Sequence, residues 1–422
     1  MRSRFPAARF PAARFPAENR RRMGFMARCM TLGATLWMAG LAWPGAASAD
    51  ALRGTGDLGL VVERASGSVL VVEHTRGTQL CRITGLGDLS HASAVFSRDE
   101  RHAYLFGRDG GLSQINLLTC ALERRVVQAG NSIGGAISQD GTLVAVANYE
   151  PGGVRVFRSA DLSPVADIPG RTGRDDALSK VVGLEDSAGQ SFVYSLYEAG
   201  AIMEVDFSAG ADRPPRVIHH GQAGRQPYDA LITPDGRQYI AGLFGEDRLS
   251  LLDLWHPERG ITPVLPGYGR GDTPLPVYKM PHLEGWGVAR GQAFLPAVGR
   301  HEVLALDLAS GREAGRMAVA GQPVFIVTRP DGRQAWVNFA LPHNHLVQVI
   351  DLESRSVQAT LTVGAGVLHL EFTPRGERVW VSVRDEDRVD IFDTASLKKV
   401  GSLPAAKPSG IFFSSRAHRT GL

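Results

Sequence analysis

Residues 324–364 read VFIVT-RPDGR-QAWVNFA-LPHNH-LVQVIDL-ESRSV-QATLTVG. Four runs of alternating apolar residues are separated by short polar turns. Alternation at period two marks strands with one buried face, and Asp331-Gly332 is a tight-turn signal between the first two. The unit recurs along the chain. Its first turn reappears as SRDE at 97–100, SQDG at 138–141, TPDG at 233–236 and TPRG at 373–376, with degenerate copies at Ser187–Gly189 before FVYSLY and at Arg290–Gly291 before QAFLPAV. Seven turns between Asp99 and Arg375 lie 46 residues apart on average, the period of four-stranded propeller blades.

The chain ends supply an eighth unit. Leu58 to Glu63, Val69 to Glu73 and Leu80 to Ile83 read as three strands without an inner partner, while Ile411 to Ser414 is an inner-type strand standing alone. Joining them closes a ring and hides two sheet edges. The expected fold is all-β, a single eight-bladed β-propeller of antiparallel blades over residues 50–422, with seven blades as the alternative count.

Composition agrees with a folded chain: 44% of the 422 residues are hydrophobic and 21% charged, with 49 Gly and 24 Pro for the many turns. The formal charge of +3 comes from the first 49 residues, where eight arginines face only Glu18. An apolar run, Cys29 to Trp43, follows Arg28 and ends in small residues through Ala49. This is the pattern of a cleaved signal peptide and predicts a periplasmic protein. A threefold RFPAA repeat upstream points to a true start at Met23 or Met26. Without residues 1–49, 38 basic and 42 acidic residues remain, a charge of −4. That balance argues against a nucleic-acid partner, and no transmembrane segment is expected in the mature chain.

In a propeller the starts of the inner strands crowd one end of the axis. Those positions hold His91, Asn131, Ser132, Lys180, Arg225, Tyr228, His282, Trp286, Gln322, Phe325, His369 and Lys407. Cations, aromatic rings and imidazoles converging on one axis suit a flat, polycarboxylated aromatic ligand. His91, His282 and His369 are the candidate ligands of a central metal. For any one His a hydrogen-bonded channel residue is the blander reading. Asp175 and Asp176 lie in a charged rim stretch with Arg171 and Arg174. Its ordinary reading is a solvated loop, but an acid/base role is open to them and to His91. Pro257 to Pro281 interrupts the blade period and reads as a lid or a dimer contact. Cys81 and Cys120 fall in different units, and two separate buried thiols are expected over a bridge. No C-x-x-C-H, G-x-S-x-G or P-loop occurs in a fitting context.

GDLSHASAVFSRD (87–99), GNSIGGAISQDG (130–141), GRQPYDALITPDG (224–236), AGLFGEDRLSLLDLWHPE (241–258), LPVYKMPHLEGW (275–286), GQAFLPAVGRHEV (291–303) and KPSGIFFSSRAHRTGL (407–422) together resemble the NirF-type proteins of haem d1 biosynthesis. The resemblance covers nearly all of 54–422. It implies a fold like the d1 domain of cytochrome cd1 nitrite reductase. It also implies non-covalent binding of haem d1 or its dihydro precursor at a late step, and cooperation with that reductase and a related d1 dehydrogenase in denitrification. It leaves two roles open: a binding and maturation protein, which is favoured because no redox-cofactor motif is present, or an enzyme that dehydrogenates or decarboxylates a tetrapyrrole side chain.

Overall fold

The computed structural model describes residues 54–171, 177–269, 286–297 and 299–415. Within them thirty-two strands form eight four-stranded antiparallel sheets arranged as the blades of a propeller. Blade 1 takes Leu58–Glu63, Ser68–Glu73 and Thr78–Ile83 from the start of the chain and its inner strand, Pro408–Phe413, from the end. Blades 2 to 8 follow at 93–127, 131–168, 181–222, 227–264, 287–318, 323–362 and 367–404. The eight-blade count is the observed one.

The recurring turn closes for a chemical reason. Ser97, Ser138 and Thr233 each donate a hydroxyl proton at 2.6 Å to the aspartate two residues on, Asp99, Asp140 and Asp235. Each aspartate also accepts a backbone N–H from beyond the turn. In TPRG, Arg375 replaces the aspartate, and Thr373 turns instead toward Glu377. At the next turn Asp307, Asp351 and Asp393 end the third strands and each caps a serine three residues on.

The middle strands are buried end to end, as in Ser191–Leu196 and Gln334–Phe339, while outer strands such as Ser356–Thr362 lie largely open to solvent. Apolar faces of adjacent blades meet to make the core. Trp336 of blade 7 packs against Phe372 and Phe392 of blade 8, and Trp380 of blade 8 packs edge-on to Phe413 of blade 1.

Ring closure is antiparallel pairing of Gly59, Leu60 and Val61 with Phe413, Phe412 and Ile411. One expectation is corrected between blades 1 and 2: Cys81 and Cys120 form a disulfide. Cys81 lies on the outer strand of blade 1 and Cys120 in the last turn of blade 2. Neighbouring blades bring the two Cα atoms to 6.3 Å, within bridging reach. The interruption at 257–281 is in part regular structure, since Pro257–Arg259 is a 3-10 turn and Ile261–Val264 is the outer strand of blade 5. The leader at 1–49 and residues 270–281 of the expected lid lie outside the described residues. Among the described residues no helix is long and apolar enough to cross a membrane.

Candidate functional site

Every inner strand must turn side chains toward the axis, and five of them do so with the same irregularity. Between Val182 and Glu185, Pro227 and Ala230, Pro323 and Ile326, Val367 and Leu370, and Pro408 and Ile411, two inner-strand residues face a single residue of the next strand. Such a bulge re-aims side chains and leaves backbone groups unpaired. The re-aimed residues are Gly183 and Leu184, Tyr228 and Asp229, Val324 and Phe325, Leu368 and His369, and Ser409 and Gly410. All of them line one axial cavity of about 550 Å³.

Buried side chains satisfy the freed backbone. Asn338 Oδ1 accepts the Phe325 N–H at 2.8 Å, while its Nδ2 donates to the Val367 and Leu368 carbonyls at 3.2 Å, so one amide ties the bulges of blades 7 and 8. Ser382 Oγ accepts the His369 N–H at 2.8 Å. Tyr239 of blade 5 donates to the Gly183 carbonyl of blade 4 at 2.7 Å. Gly183 itself sits at φ +55°, and a Cβ there would stand 2.7 Å from that of Ala230. Only glycine meets both demands at this blade contact.

A second set of wall residues comes from the turns between second and third strands. Register pairs Glu63 with Pro408, Leu196 with Val181 and Leu243 with Pro227. The next residues, Arg64, Tyr197 and Phe244, therefore stand beside the inner-strand starts, and all three line the cavity with Arg108. Sequence reasoning missed them because it considered only the inner strands. For Arg64, Tyr197 and Phe244 the signal was present, as the residue directly following a second-strand run, while Arg108 stands two residues past one.

The walls differ in chemistry. On blades 3 to 5 Tyr149 donates to the Tyr228 hydroxyl at 3.1 Å, and Tyr197, Tyr228 and Phe244 pack mutually with ring centroids 6.1–6.4 Å apart. Burial foremost raises the phenol pKa values of Tyr228 and Tyr197, so both stay neutral donors at ordinary pH. On blades 1 and 2 stand Arg64 and Arg108. Burial, then the neighbouring Arg384 cation, draws the Arg64 guanidinium below its usual pKa; Asp88 and Asp385 oppose the shift, and Arg108 adds to it. The cation crowd favours an incoming anion. Between the walls, His369 is 7% exposed and packs between Phe325 and Phe412. The Ile411 N–H donates to its Nδ1 at 3.2 Å.

Of the residues expected at the site, His91, Tyr228, Phe325 and His369 line the cavity. Lys180, Arg225 and Lys407 do not. Lys180 Nζ binds Glu198 at 2.7 Å and lies over the Tyr149 and Tyr197 rings at 5.9 and 5.2 Å. Arg225 is mostly exposed beside Glu246, and Lys407 stands 3.9 Å from Asp387. These cations have local carboxylates and sit at the rim. Trp286 does not line the cavity; it precedes the short inner strand Gly287–Ala289 of blade 6 and is buried in a core cluster drawn from blades 4 to 6. Asp175, Asp176 and His282 lie outside the described residues. Among the described residues no three His, Cys, Asp or Glu side chains gather as a metal site.

This geometry can be set beside known proteins. Residues 53–417 match the family model of the cytochrome D1 heme domain. The chain is 59% identical over 372 residues to Protein NirF of Pseudomonas aeruginosa, covering 88% of this chain and 94% of the relative. Protein NirF of Stutzerimonas stutzeri is 58% identical over 372 residues, covering 88% and 95%. A solved structure, the dihydro-heme d1 dehydrogenase NirN in complex with DHE, superposes with a TM-score of 0.74 at 25% identity, covering 86% of this chain and 76% of that one. A propeller whose axial cavity is built by inner-strand bulges, matched over its whole length, thus belongs to the cytochrome d1 haem-domain family as a NirF-type member.

Proposed function

We propose that the protein is a haem d1 biosynthesis and maturation factor that holds haem d1, or its dihydro precursor, non-covalently in the axial cavity. The observation that carries this reading is the division of that cavity into an arginine wall, with His91 beside it, and an aromatic wall, with His369 between them. About 550 Å³ falls in the ordinary range of cofactor sites. The fit with a flat tetrapyrrole is chemical at each edge: Arg64 and Arg108 meet carboxylates, Tyr197, Tyr228 and Phe244 cover π surface, and glycines at 134, 135, 183 and 410 keep the walls low.

The chain's own groups divide the labour. His91 is the candidate residue to hold the iron, which would supply the ligation chemistry there when bound. With Nδ1 accepting from Ile411, the proton of neutral His369 stays on Nε2, so this ring donates a hydrogen bond instead of offering a lone pair. Tyr149 orders Tyr228 by donating to it, which leaves the Tyr228 proton for another acceptor. Arg64 binds carboxylate and is relieved of its cation neighbours by doing so.

Hand-over to cytochrome cd1 nitrite reductase, with a related d1 dehydrogenase acting on the precursor, belongs to the same proposal. So do export through the leader at 1–49, a periplasmic location and a homodimer. The Cys81–Cys120 bridge supports an oxidising compartment. The catalytic alternative, side-chain dehydrogenation or decarboxylation, draws on Asp229 and Glu185, acids that line the same cavity as His91. Titration of the protein with haem d1 and with the dihydro compound, followed by absorption, tests the reading. Saturable band shifts support it, and absence of binding by both overturns it. Conversion of the bound precursor without an added enzyme would move the assignment to catalysis.

A further inference from the structure

Lys180 stands at the rim rather than in the cavity, yet the corner where blade 4 begins is built around it. Its backbone carbonyl accepts the Tyr197 N–H at 3.0 Å, and its own N–H donates to Glu198 Oε2 at 2.7 Å. The Ser179 hydroxyl donates to the same carboxylate oxygen and accepts the Glu198 N–H, both at 2.9 Å. Lys180 Nζ closes the lattice on Glu198 Oε1 at 2.7 Å. The ammonium is thereby fixed 5.2 Å from the centroid of the Tyr197 ring and 5.9 Å from that of Tyr149.

Both rings lead to Tyr228, which lines the cavity. Tyr149 donates its hydroxyl proton to Tyr228 at 3.1 Å, and Tyr197 packs edge-on against the Tyr228 ring with centroids 6.1 Å apart. A cation over a phenol ring is held by the ring's quadrupole and draws density from it, which strengthens the O–H as a donor. Tyr149 is favoured as the donor of the pair, and the Tyr228 proton is left for an acceptor in the cavity. Burial foremost raises both phenol pKa values, but their shared bond raises Tyr149 further and draws Tyr228 down.

We propose that Lys180, held by Glu198, is a positioning residue for Tyr228: its ammonium pins the Tyr149 and Tyr197 rings, so that Tyr228 presents a preset O–H donor to an acceptor on the bound macrocycle. The gain is one of preorganisation, since a hydroxyl whose direction is set beforehand does not have to be ordered by the ligand. The inference rests on the tetrapyrrole reading and adds to it a residue that acts on the ligand through another.

Haem d1 titrations of the full protein, followed by absorption, test it in K180M, K180R, Y228F and the K180M/Y228F double variant. K180M keeps the apolar stem and removes the charge. It should weaken haem d1 binding about threefold, the range of one exposed cation–π contact. K180R keeps a cation for Glu198 and for both rings, and should bind within about 1.5-fold of the wild type. Y228F should weaken binding about fivefold. The deciding comparison is the double variant, which should bind no more weakly than Y228F, because Lys180 acts through the Tyr228 hydroxyl. A further threefold loss on the Y228F background, no loss from K180M alone, or an equal loss from K180M and K180R would overturn the positioning role and leave the tetrapyrrole reading intact. Failure of the wild type to bind haem d1 would remove both.

Discussion

The Ile411 backbone N–H points at Nδ1 of His369 from 3.2 Å, and this bond sets the tautomer of the imidazole at the cavity wall. Ile411 belongs to the inner strand contributed by the end of the chain, so ring closure and the chemistry of blade 8 are linked through it. His369 then serves as an Nε2–H donor. The H369A variant should bind haem d1 about fivefold more weakly, the worth of one hydrogen bond of about 1 kcal/mol, with its absorption bands unmoved. H369Q, which keeps a donor at similar reach, should recover most of that affinity.

Asn338 reaches two bulges at once, and its loss should be felt at both. N338L should lower stability by about 2 kcal/mol, because the Phe325 N–H and the Val367 and Leu368 carbonyls lose their partner. N338D keeps the acceptor and loses the donors, so it should lie between the wild type and N338L. Urea unfolding midpoints of the three proteins check the order.

The blade turns were legible in the sequence because their chemistry is local: a hydroxyl, an aspartate two residues on and a glycine suffice. The closure of the ring was legible too, since an unpartnered inner strand at one end matched a missing one at the other. The site was only half legible. His91, Tyr228 and His369 sit at inner-strand positions that period-two counting finds. Arg64, Arg108, Tyr197 and Phe244 sit in turns that counting places at the same end without saying which turns reach the axis. The bulges were invisible, because a two-against-one register depends on the neighbouring strand. Lys180, Arg225 and Lys407 went astray for another reason, since each finds a carboxylate at the rim. The Cys81–Cys120 bridge depends on the angle between blades, which spacing along the chain does not encode.

That bridge closes a segment with a sequence separation of 39 and ties blade 1 to blade 2. The C81S/C120S double variant should lose about 3–4 kcal/mol of stability. Reduction of the wild type by dithiothreitol should lower its urea midpoint to that of the variant. A reduced wild type as stable as the oxidised protein would show that the bridge does not constrain the unfolded chain.

Asp140 tests the turn chemistry by pH. Burial pushes its carboxyl up, but bonds from Ser138, Gln190 and Thr142 win and hold it at about 2, below its usual 3.8. A depressed carboxyl stabilises the fold at pH values above its unfolded pKa and loses that contribution as pH falls toward the folded one. D140A should therefore be less stable than the wild type by about 1 kcal/mol at pH 6, a figure reduced for the exposure of the side chain. The gap should narrow from pH 4 toward pH 2. A gap that stays constant over that window, read from thermal midpoints, would mean that the carboxylate charge is not what the turn uses.

The central claim is that the axial cavity holds haem d1 with His91 as its ligand from the protein. The most direct measurement is the absorption spectrum of haem d1 bound to the wild type, to H91A and to H91A with added imidazole. The account predicts shifted bands for the wild type, bands close to those of free haem d1 for H91A despite retained binding, and recovery of the wild-type spectrum as imidazole is added. Identical spectra for the wild type and H91A would contradict it.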